Sequence, residues 1–271
     1  MRGASRESLT AARDRLDALL GSGVIAAAAV GNELFEVADL LDAQPALRAS
    51  LTDPSRSGED KAALVRVLLA GKLSEPVIEF VEGSARGRWS ANRDLADAID
   101  TLATEAILSS AQQQGRLDGL EDELFRFARV VAATPTLRAA LTDRALPAER
   151  KGGLVTELLQ GKAGPETARL AARTVTHPRG RSLEAGLASL ADLAAARRRR
   201  LVATVSAAVM LTEGQRERLA ATLARQFGHD VHLNIVVDPS VVGGLRVTLG
   251  DEVIDGTLST RLDEALRRIT G

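Results

Sequence analysis

The sequence contains no cysteine and no tyrosine, and tryptophan occurs once, as Trp89. Without cysteine the chain can form no disulfide, no thiolate nucleophile and no cysteine metal site, which fits a cytosolic address. Aromatic residues make up 2% of the chain, whereas hydrophobic residues make up 45%. The core must therefore be built from leucine, alanine and valine, a composition that favours closely packed helices.

The chain also lacks a long apolar run and an excess of either charge. Its longest apolar run, Val24–Val30, is far shorter than the roughly 20 residues that a membrane-spanning helix needs. The formal net charge of −1 gives no general attraction to nucleic acid or to an anionic membrane. Met1–Arg15 mixes acids with arginines and is not followed by a signal-peptide core. A length of 271 residues suits two or three domains.

Apolar residues recur at helical spacing up to about residue 200, and the pattern repeats. The segment Pro45–Asp53 reappears as Pro135–Asp143, an offset of 90 residues (135 − 45). The same offset relates further residues in each half: Glu33 to Glu123, Phe35 to Phe125, Leu64 to Leu154, Gly71 to Gly161 and Lys72 to Lys162. The repeat predicts a duplicated helical domain, each copy a compact bundle of short antiparallel helices. Two copies are too few for a solenoid.

One helix, around Leu95–Ala111, ends the first copy and also begins the second. We expect the two bundles to share this helix, which would hold them in a fixed relation. The alternative is an unstructured linker near Gln112–Gly115. The predicted domains are residues 1–110 and 111–200, the two helical copies, followed by a small α/β domain over residues 201–271.

The C-terminal domain is predicted to have the element order β-α-β-β-β-α. A strand at Leu201–Val209 is followed by a helix that begins after the capping box Thr212-x-x-Gln215. Val231–Val237 then alternates as a half-buried strand does, and two shorter strands follow it. The final helix is predicted over Leu258–Ile269. The residues that shape the turns between strands form a structural motif: Asp238, Pro239, Gly243, Gly244, Gly250, Asp255 and Gly256.

No group of residues in the sequence is typical of a catalytic, metal or cofactor site. His229 and His232 lack a third ligand, so surface or turn histidines are the favoured interpretation over a metal pair. Gly71-Lys72 lacks the glycine spacing of a phosphate loop. The acidic residues are dispersed on polar helix faces. Arg197–Arg200 indicates a solvated helix end, with a docking patch for an acidic partner or nucleic acid as the alternative.

The run Asp238–Val247, followed by Gly250-Asp251 and Val253–Gly256, resembles the C-terminal motif of the delta subunits of bacterial F-type ATP synthase. The mitochondrial relative in that family is the oligomycin-sensitivity-conferring protein. The resemblance implies a non-catalytic stator subunit, peripheral to the cytoplasmic face of the bacterial plasma membrane. Its implied partners are the N-terminal helix of an alpha subunit and the C-terminal end of the b-subunit stalk. It implies no cofactor, no nucleic acid and no small-molecule substrate.

The chain departs from the usual pattern of that family, which has a single helical domain before the C-terminal domain. The second copy directly precedes the C-terminal domain and so takes the usual position, and the first copy is the addition. Two other function classes stay open at this point. One is an enzyme of unrecognised type, and the other is an arginine-rich helical nucleic-acid-binding or scaffold protein that uses Arg197–Arg200.

Overall fold

The computed structural model describes residues 3–199, 202–227, 231–239, 241, 243–249 and 252–255. These residues form twelve helices and one four-stranded sheet. The predicted class, mainly helical with a small C-terminal α/β domain, is confirmed. The chain divides into two compact units, Met1–Leu193 and Ala194–Gly271. The first helical copy and residues 111–193 of the second fall in the first unit, and the boundary near residue 110 between the copies stays a prediction.

Eleven helices carry the two copies. Those of the first copy are α1 Ala4–Gly21, α2 Ala27–Ala43, α3 Pro45–Thr52, α4 Gly58–Leu69, α5 Glu75–Ala85 and α6 Asp94–Gln113. Those that follow are α7 Leu117–Ala133, α8 Pro135–Thr142, α9 Ala148–Leu159, α10 Pro165–Thr176 and α11 Leu183–Arg199. In the described part of the chain, none of the helices combines the length and the apolar character that a membrane crossing requires.

The helix boundaries reproduce the offset found in the sequence. Helices α2 to α5 begin 90 residues before α7 to α10, and α1 begins 90 residues before α6 (94 − 4). Helix α6 is therefore both the last helix of the first copy and the counterpart of α1 in the second. It packs against α1, α2 and α3 on one side of the duplication and against α7 and α10 on the other. The shared helix is thus confirmed. The alternative linker is wrong, because α6 extends to Gln113 and a short turn at Gly115 leads directly into α7.

Equivalent hydrogen bonds hold equivalent turns in both copies. The carboxylate of Glu33 on α2 accepts a hydrogen bond from the backbone N–H of Ser74 at 2.8 Å. Glu123 on α7 accepts one from the backbone N–H of Gly164, 90 residues later, at 2.9 Å. In each case an acid satisfies an amide at the beginning of the fifth helix of its copy, where amides lack partners within the helix. The duplication therefore extends to individual side-chain contacts.

Helices α2 and α6 form the most extensive helix contact of the first unit. A Cβ atom placed on Gly31 would lie 2.6 Å from Ile107 Cδ1, so only glycine allows this approach. Small buried residues line the rest of the seam, among them Ala27, Ala38, Ala103 and Ala106. A chain poor in aromatic residues thus reaches a dense core by bringing helix backbones close together.

The second unit contains the small sheet. Its elements are β1 Val202–Ala207, α12 Glu213–Phe227, β2 His232–Val237, β3 Leu245–Leu249 and β4 Glu252–Asp255. The strand order is β2-β1-β3-β4, with β1 and β2 parallel and the other two pairs antiparallel. The predicted order β-α-β-β-β is confirmed, whereas the predicted final helix lies outside the described residues.

The strands bury alternate side chains against α12, as their period of two predicts. Buried Ala203, Val205, Val247 and Leu249 surround Leu223 of the helix, and Leu233 and Ile235 pack against this core. Val237 departs from the predicted pattern, since it is 45% exposed at the end of β2, next to the turn. One half of the predicted capping box is present at the beginning of α12, where the Gln215 side chain accepts a hydrogen bond from Thr212 N–H at 2.9 Å.

Candidate interaction surfaces

The contact between the two helical copies contains a network of buried charges, which we call the junction cluster. The second copy and the loop after it supply Arg173, His177 and Arg179, and the first copy with its shared helix supplies Asp39, Asp42, Asp97 and Asp100. The aspartates form two Asp-x-x-Asp pairs, on α2 and on α6. Residues three apart lie on the same side of a helix, so each pair presents both carboxylates together.

Arg173 joins α10 to both acidic helices. Its Nη1 lies 2.6 Å from Asp39 Oδ1, and its Nη2 lies 2.7 Å from Asp100 Oδ1. The guanidinium carbon also stands 4.5 Å from the ring centroid of Phe35, within the range of a cation–π contact. The side chain is only 6% exposed. A buried arginine held by two carboxylates and a ring fixes the positions of three helices relative to one another.

Arg179 makes a second connection, from the loop after α10. Its Nη1 donates to Asp97 Oδ1 at 2.7 Å, its Nη2 lies 2.7 Å from Asp42 Oδ2, and its Nε lies 3.2 Å from Asp100 Oδ2. The contacts of Nη2 and Nε are ionic contacts without hydrogen-bond geometry. Arg179 has a φ of 50°, an unfavourable value for a residue with a Cβ atom. At this backbone conformation the Arg179 side chain contacts three carboxylates.

His177 ends α10 and completes the cluster. Its Nε2 lies 3.2 Å from Asp39 Oδ1, and its Nδ1 lies 2.8 Å from the Thr176 hydroxyl. Burial lowers the pKa of His177 below its usual value, and the nearby Arg173 charge lowers it further, although Asp39 opposes both. The ring is therefore neutral at pH 7.

The junction cluster is a structural network and not a catalytic site. Each of the two arginines is matched by carboxylates. Such a network fixes the register of the parts it joins, because breaking one pair leaves a buried charge uncompensated. Sequence reasoning missed it because the acids were interpreted as solvated helix faces. The two Asp-x-x-Asp spacings were the available signal, but they do not reveal which arginines face them.

A second surface is apolar and open. Phe125 and Val130 on α7 are 60% and 52% exposed. Phe35, the counterpart of Phe125 in the first copy, is fully buried and lies under Arg169 and Arg173 of α10. The second copy thus covers one face of the first, whereas its own equivalent face is open apart from Arg129, whose guanidinium stands 5.9 Å from the Phe125 ring. Helix α7 thus exposes two large apolar side chains, five residues apart, on the copy whose equivalent of the Phe35 face is not covered.

The structural motif of the C-terminal unit shapes its sheet. Asp238 ends β2, and its N–H donates to the Ala207 carbonyl at 2.9 Å. Gly243 and Gly244 have φ values of 63° and 81°, which a residue with a Cβ atom rarely adopts. Pro239 lies exposed between them and Asp238. These residues turn the chain from one sheet edge strand into β3, which is the role their sequence pattern predicts.

The other motif residues are only partly covered by the structure. Asp255 is the last residue of β4 and pairs in register with Arg246 of β3. Gly250 and Gly256 lie outside the described residues. The role of the motif as a whole stays a prediction.

The charged and histidine candidates are also placed in part. The C-terminal end of α11 consists of Arg197, Arg198 and Arg199, a position that suits cations because the end of a helix carries a partial negative charge. Arg200 lies outside the described residues. His232 begins β2, but His229 lies outside the described residues, so the possible metal pair stays untested. Within the described residues, no group of three or more His, Cys, Asp or Glu side chains is arranged so that it could hold a metal ion.

Similarity to known proteins is extensive. The family described as ATP synthase delta (OSCP) subunit matches residues 104–269, from within the shared helix through the C-terminal unit. The chain is 52% identical over 271 residues to ATP synthase subunit delta of Streptomyces griseus subsp. griseus, with 100% of each chain covered. It is 51% identical to the subunit of Streptomyces coelicolor and 50% identical to that of Kineococcus radiotolerans, each over 269 residues, with 99% of this chain and 98% of the relative covered.

These relatives match along their full length, so they share the added first copy, whereas the family match begins inside α6. The second copy and the C-terminal unit therefore correspond to the usual extent of the family, as the sequence predicts. The relatives named here are all ATP synthase delta subunits, and they give no support to the alternative of a nucleic-acid-binding or scaffold protein. Two independent similarities, one to the family as a whole and one to full-length relatives, lead to the same assignment: the chain belongs to the ATP synthase delta (OSCP) subunit family.

Proposed function

We propose that the chain links the catalytic head of a proton-translocating F-type ATP synthase to its b-subunit stalk, at the cytoplasmic face of the bacterial plasma membrane. As a member of the delta family it is a structural subunit of the peripheral stalk, without an active site of its own. The single observation that carries this proposal is the similarity, over the full length of the chain, to proteins named ATP synthase subunit delta. Such a link needs slow dissociation and stiffness, and it needs no reactive group.

The helical unit is the proposed binding site for the N-terminal helix of an alpha subunit. The open surface of α7 supports this assignment, because Phe125 and Val130 offer apolar anchors to an amphipathic helix. The basic residues Arg126 and Arg129 flank them and suit acidic residues on the same partner helix. The C-terminal unit is the proposed binding site for the end of the b subunit.

The junction cluster supports the mechanical part of the proposal. A stalk transmits torque only if its parts keep their relative positions under load. The shared helix α6 and the buried Arg173 and Arg179 tie the first copy to the second at several points. We propose that the first copy lengthens the stiff path and adds a second contact to the head or to the stalk.

Co-purification tests the partner assignment most simply. The full chain is mixed with a peptide of the alpha N-terminal helix and with a soluble fragment of the b subunit, and complexes are separated by size-exclusion chromatography. Both partners are expected to co-elute with the chain. Failure to bind either of them would overturn the proposed function.

A pair of variants locates the alpha contact. Phe125→Ser is expected to lower the affinity of the chain for the alpha peptide by about tenfold or more, because a central apolar anchor contributes on the order of 2 kcal/mol to binding. Val67→Ser is the matched control, since Val67 is 79% exposed on α4, away from the α7 surface. An equal affinity of both variants for the peptide would exclude the α7 surface as the binding site.

A further inference from the structure

A cleft of about 420 Å³ opens at the beginning of α4 in the first copy. Four cations line it: Arg56, Lys61, Arg86 and Arg88. Among the described residues that form its wall there is no carboxylate. The cations come from the turn before α4, from α4 itself and from the segment after α5, so the fold brings them together from three places in the sequence.

Lys61 is the most informative of these residues. It is only 4% exposed and lines the cleft, yet within the described structure its ammonium group has no hydrogen bond and no ion pair. Its counterpart in the second copy, Lys151, donates from Nζ to the Asp143 carbonyl at 3.1 Å. Burial lowers the pKa of Lys61, and the charge of Asp53 only partly opposes this effect. An ammonium group at the wall of a cleft, without an acceptor from the protein, is available to an anion that enters the cleft.

The first turn of α4 borders the same cleft. Gly58 is the first residue of the helix and lies in the cleft wall. Backbone N–H groups at a helix N-terminus lack partners within the helix, and the helix dipole favours negative charge there. Ser57 satisfies one of these amides by accepting from Asp60 N–H at 3.1 Å. The remaining first-turn amides add to the attraction that the cations provide.

Nearby acids offset only part of the positive charge. Glu59 pairs with Arg86 at 3.0 Å. Asp53 accepts hydrogen bonds from the Ser55 backbone and hydroxyl at 2.8 and 2.7 Å. Arg56 and Arg88 form no ion pair with any described residue, and Arg88 lies close enough to Lys61 to disfavour its charge. Hydrogen bonds from Ser55 lower the pKa of Asp53, and the charges of Arg56 and Lys61 lower it further, so Asp53 offsets part of the charge of these cations.

The second copy lacks this arrangement although it has the same helices. The counterparts of Arg56, Arg86 and Arg88 are Leu146, Thr176 and Pro178, and Pro147 replaces the capping Ser57. The fold of the bundle therefore does not require these cations. Their presence in one copy alone indicates a use that belongs to the first copy.

We propose that this cleft binds a phosphate group, held by Lys61, Arg88 and the first turn of α4. A phosphate carries up to two negative charges and several acceptor oxygens, which matches clustered cations and amides better than a single carboxylate does. The volume exceeds that of one phosphate ion, so the group can be free phosphate or part of a nucleotide. The inference does not depend on the proposed function, because it rests on the cations and the helix end that line the cleft.

Isothermal titration of the full chain tests the site, with inorganic phosphate and ADP as separate probes in a chloride buffer of constant ionic strength. The structure predicts saturable binding at one site per chain for at least one probe. Tighter binding of ADP, competitive with phosphate, assigns the group to a nucleotide, and binding of phosphate alone assigns it to the free ion. Either result supports the site. Absence of saturable binding of both probes up to about 10 mM overturns it, since weaker binding falls to non-specific levels.

Two variants and one control locate the binding. Lys61→Met keeps the buried stem and removes the charge, and Arg88→Gln removes an exposed charge without affecting the core. Each variant is expected to bind the probe about tenfold more weakly, which is the usual effect of losing one charge-assisted hydrogen bond. Lys151→Met, the same change in the second copy, is expected to bind as the original chain does. If both first-copy variants keep the original affinity, the cleft is not the binding site.

Discussion

The two helical copies have the same helices and the same turns, but they differ in what covers them. In the first copy Phe35 is fully buried beneath two arginines of the second copy, whereas its counterpart Phe125 is 60% exposed. The duplication therefore converted one exposed face into an internal contact and left the equivalent face of the second copy open. The two copies therefore use the same face differently. In the first copy the face is the attachment surface for the second copy, and in the second copy it is exposed.

The charged residues of the junction cluster follow the same division. Asp39, Asp42, Asp97 and Asp100 of the first copy and its shared helix correspond to four residues without a carboxylate: Arg129, Ala132, Leu187 and Leu190. The second copy therefore cannot receive a further arginine-bearing copy in the same way. The acidic half of the contact is therefore present in the first copy and its shared helix but is missing at the equivalent positions of the second copy.

Phe35→Ala tests the difference between the copies with the largest expected effect. Removing a buried phenylalanine should lower the free energy of unfolding by about 4 kcal/mol, since transfer and cavity costs add. Phe125→Ala is the matched change in the second copy and should cost less than about 1 kcal/mol, because that ring is mostly exposed. Urea unfolding followed by circular dichroism measures both. Equal losses would mean that the two copies are covered alike.

Arg173→Met tests the junction cluster. Methionine keeps most of the side-chain volume over Phe35 but leaves Asp39 and Asp100 with less compensation, so we expect a loss of about 3 kcal/mol in the free energy of unfolding. The control is Arg126→Met, at an exposed position on α7. This change should alter the free energy of unfolding by less than about 0.5 kcal/mol. If Arg173→Met were as mild as the control, the cluster would not hold the copies together.

Gly71→Ala and Gly161→Ala test what the copies share. Both glycines follow the fourth helix of their copy, with φ values of 73° and 69°. Alanine at this backbone conformation should cost about 1 to 2 kcal/mol in each copy. Gly153→Ala, inside α9 with open space around the new Cβ atom, should instead stabilise the chain by about 0.5 to 1 kcal/mol. Clearly unequal costs at Gly71 and Gly161 would show that the two turns are not equivalent.

His177→Gln tests the junction cluster through pH, with the smallest expected effect. The pKa of His177 is lowered in the folded state, so the unfolded chain binds more protons as the pH falls below about 6.5. The cluster therefore loses stability between about pH 7 and pH 5, above the range in which carboxylates titrate. The glutamine variant should show a shallower decline of stability over that range. An unchanged slope would mean that burial does not disfavour the imidazolium form of His177.

Much of the fold followed from the sequence, because it depends on local patterns. The offset of 90 residues predicted helix boundaries that the structure reproduces, and the glycines and prolines marked the turns. The alternation of Val231–Val237 predicted the core face of β2 until the turn, where Val237 becomes exposed. These features are set by periodicity and by backbone conformations that few residues adopt.

The interaction surfaces were less predictable, because they depend on which distant side chains meet. Asp39 and Asp100 resemble solvated helix acids until Arg173 is placed between them. Phe35 and Phe125 occupy the same position in the repeat, and only the packing of α10 shows that one is covered. Lys61 and Lys151 likewise match in sequence but differ in their hydrogen bonds. In each case the sequence shows the residue but not its partner.

The role of the first copy is tested most directly by comparing the full chain with a variant that lacks residues 3–93. This deletion keeps α6, which takes the place of a first helix for the second copy, and it retains the whole of the family match. Proton-driven ATP synthesis is measured in membranes assembled with each form, after circular dichroism has shown that the variant is folded. We expect the variant to fold, to assemble less stably into the complex and to support less proton-driven ATP synthesis. Unchanged assembly and unchanged synthesis would contradict the claim that the first copy adds a stiff, second contact to the stalk.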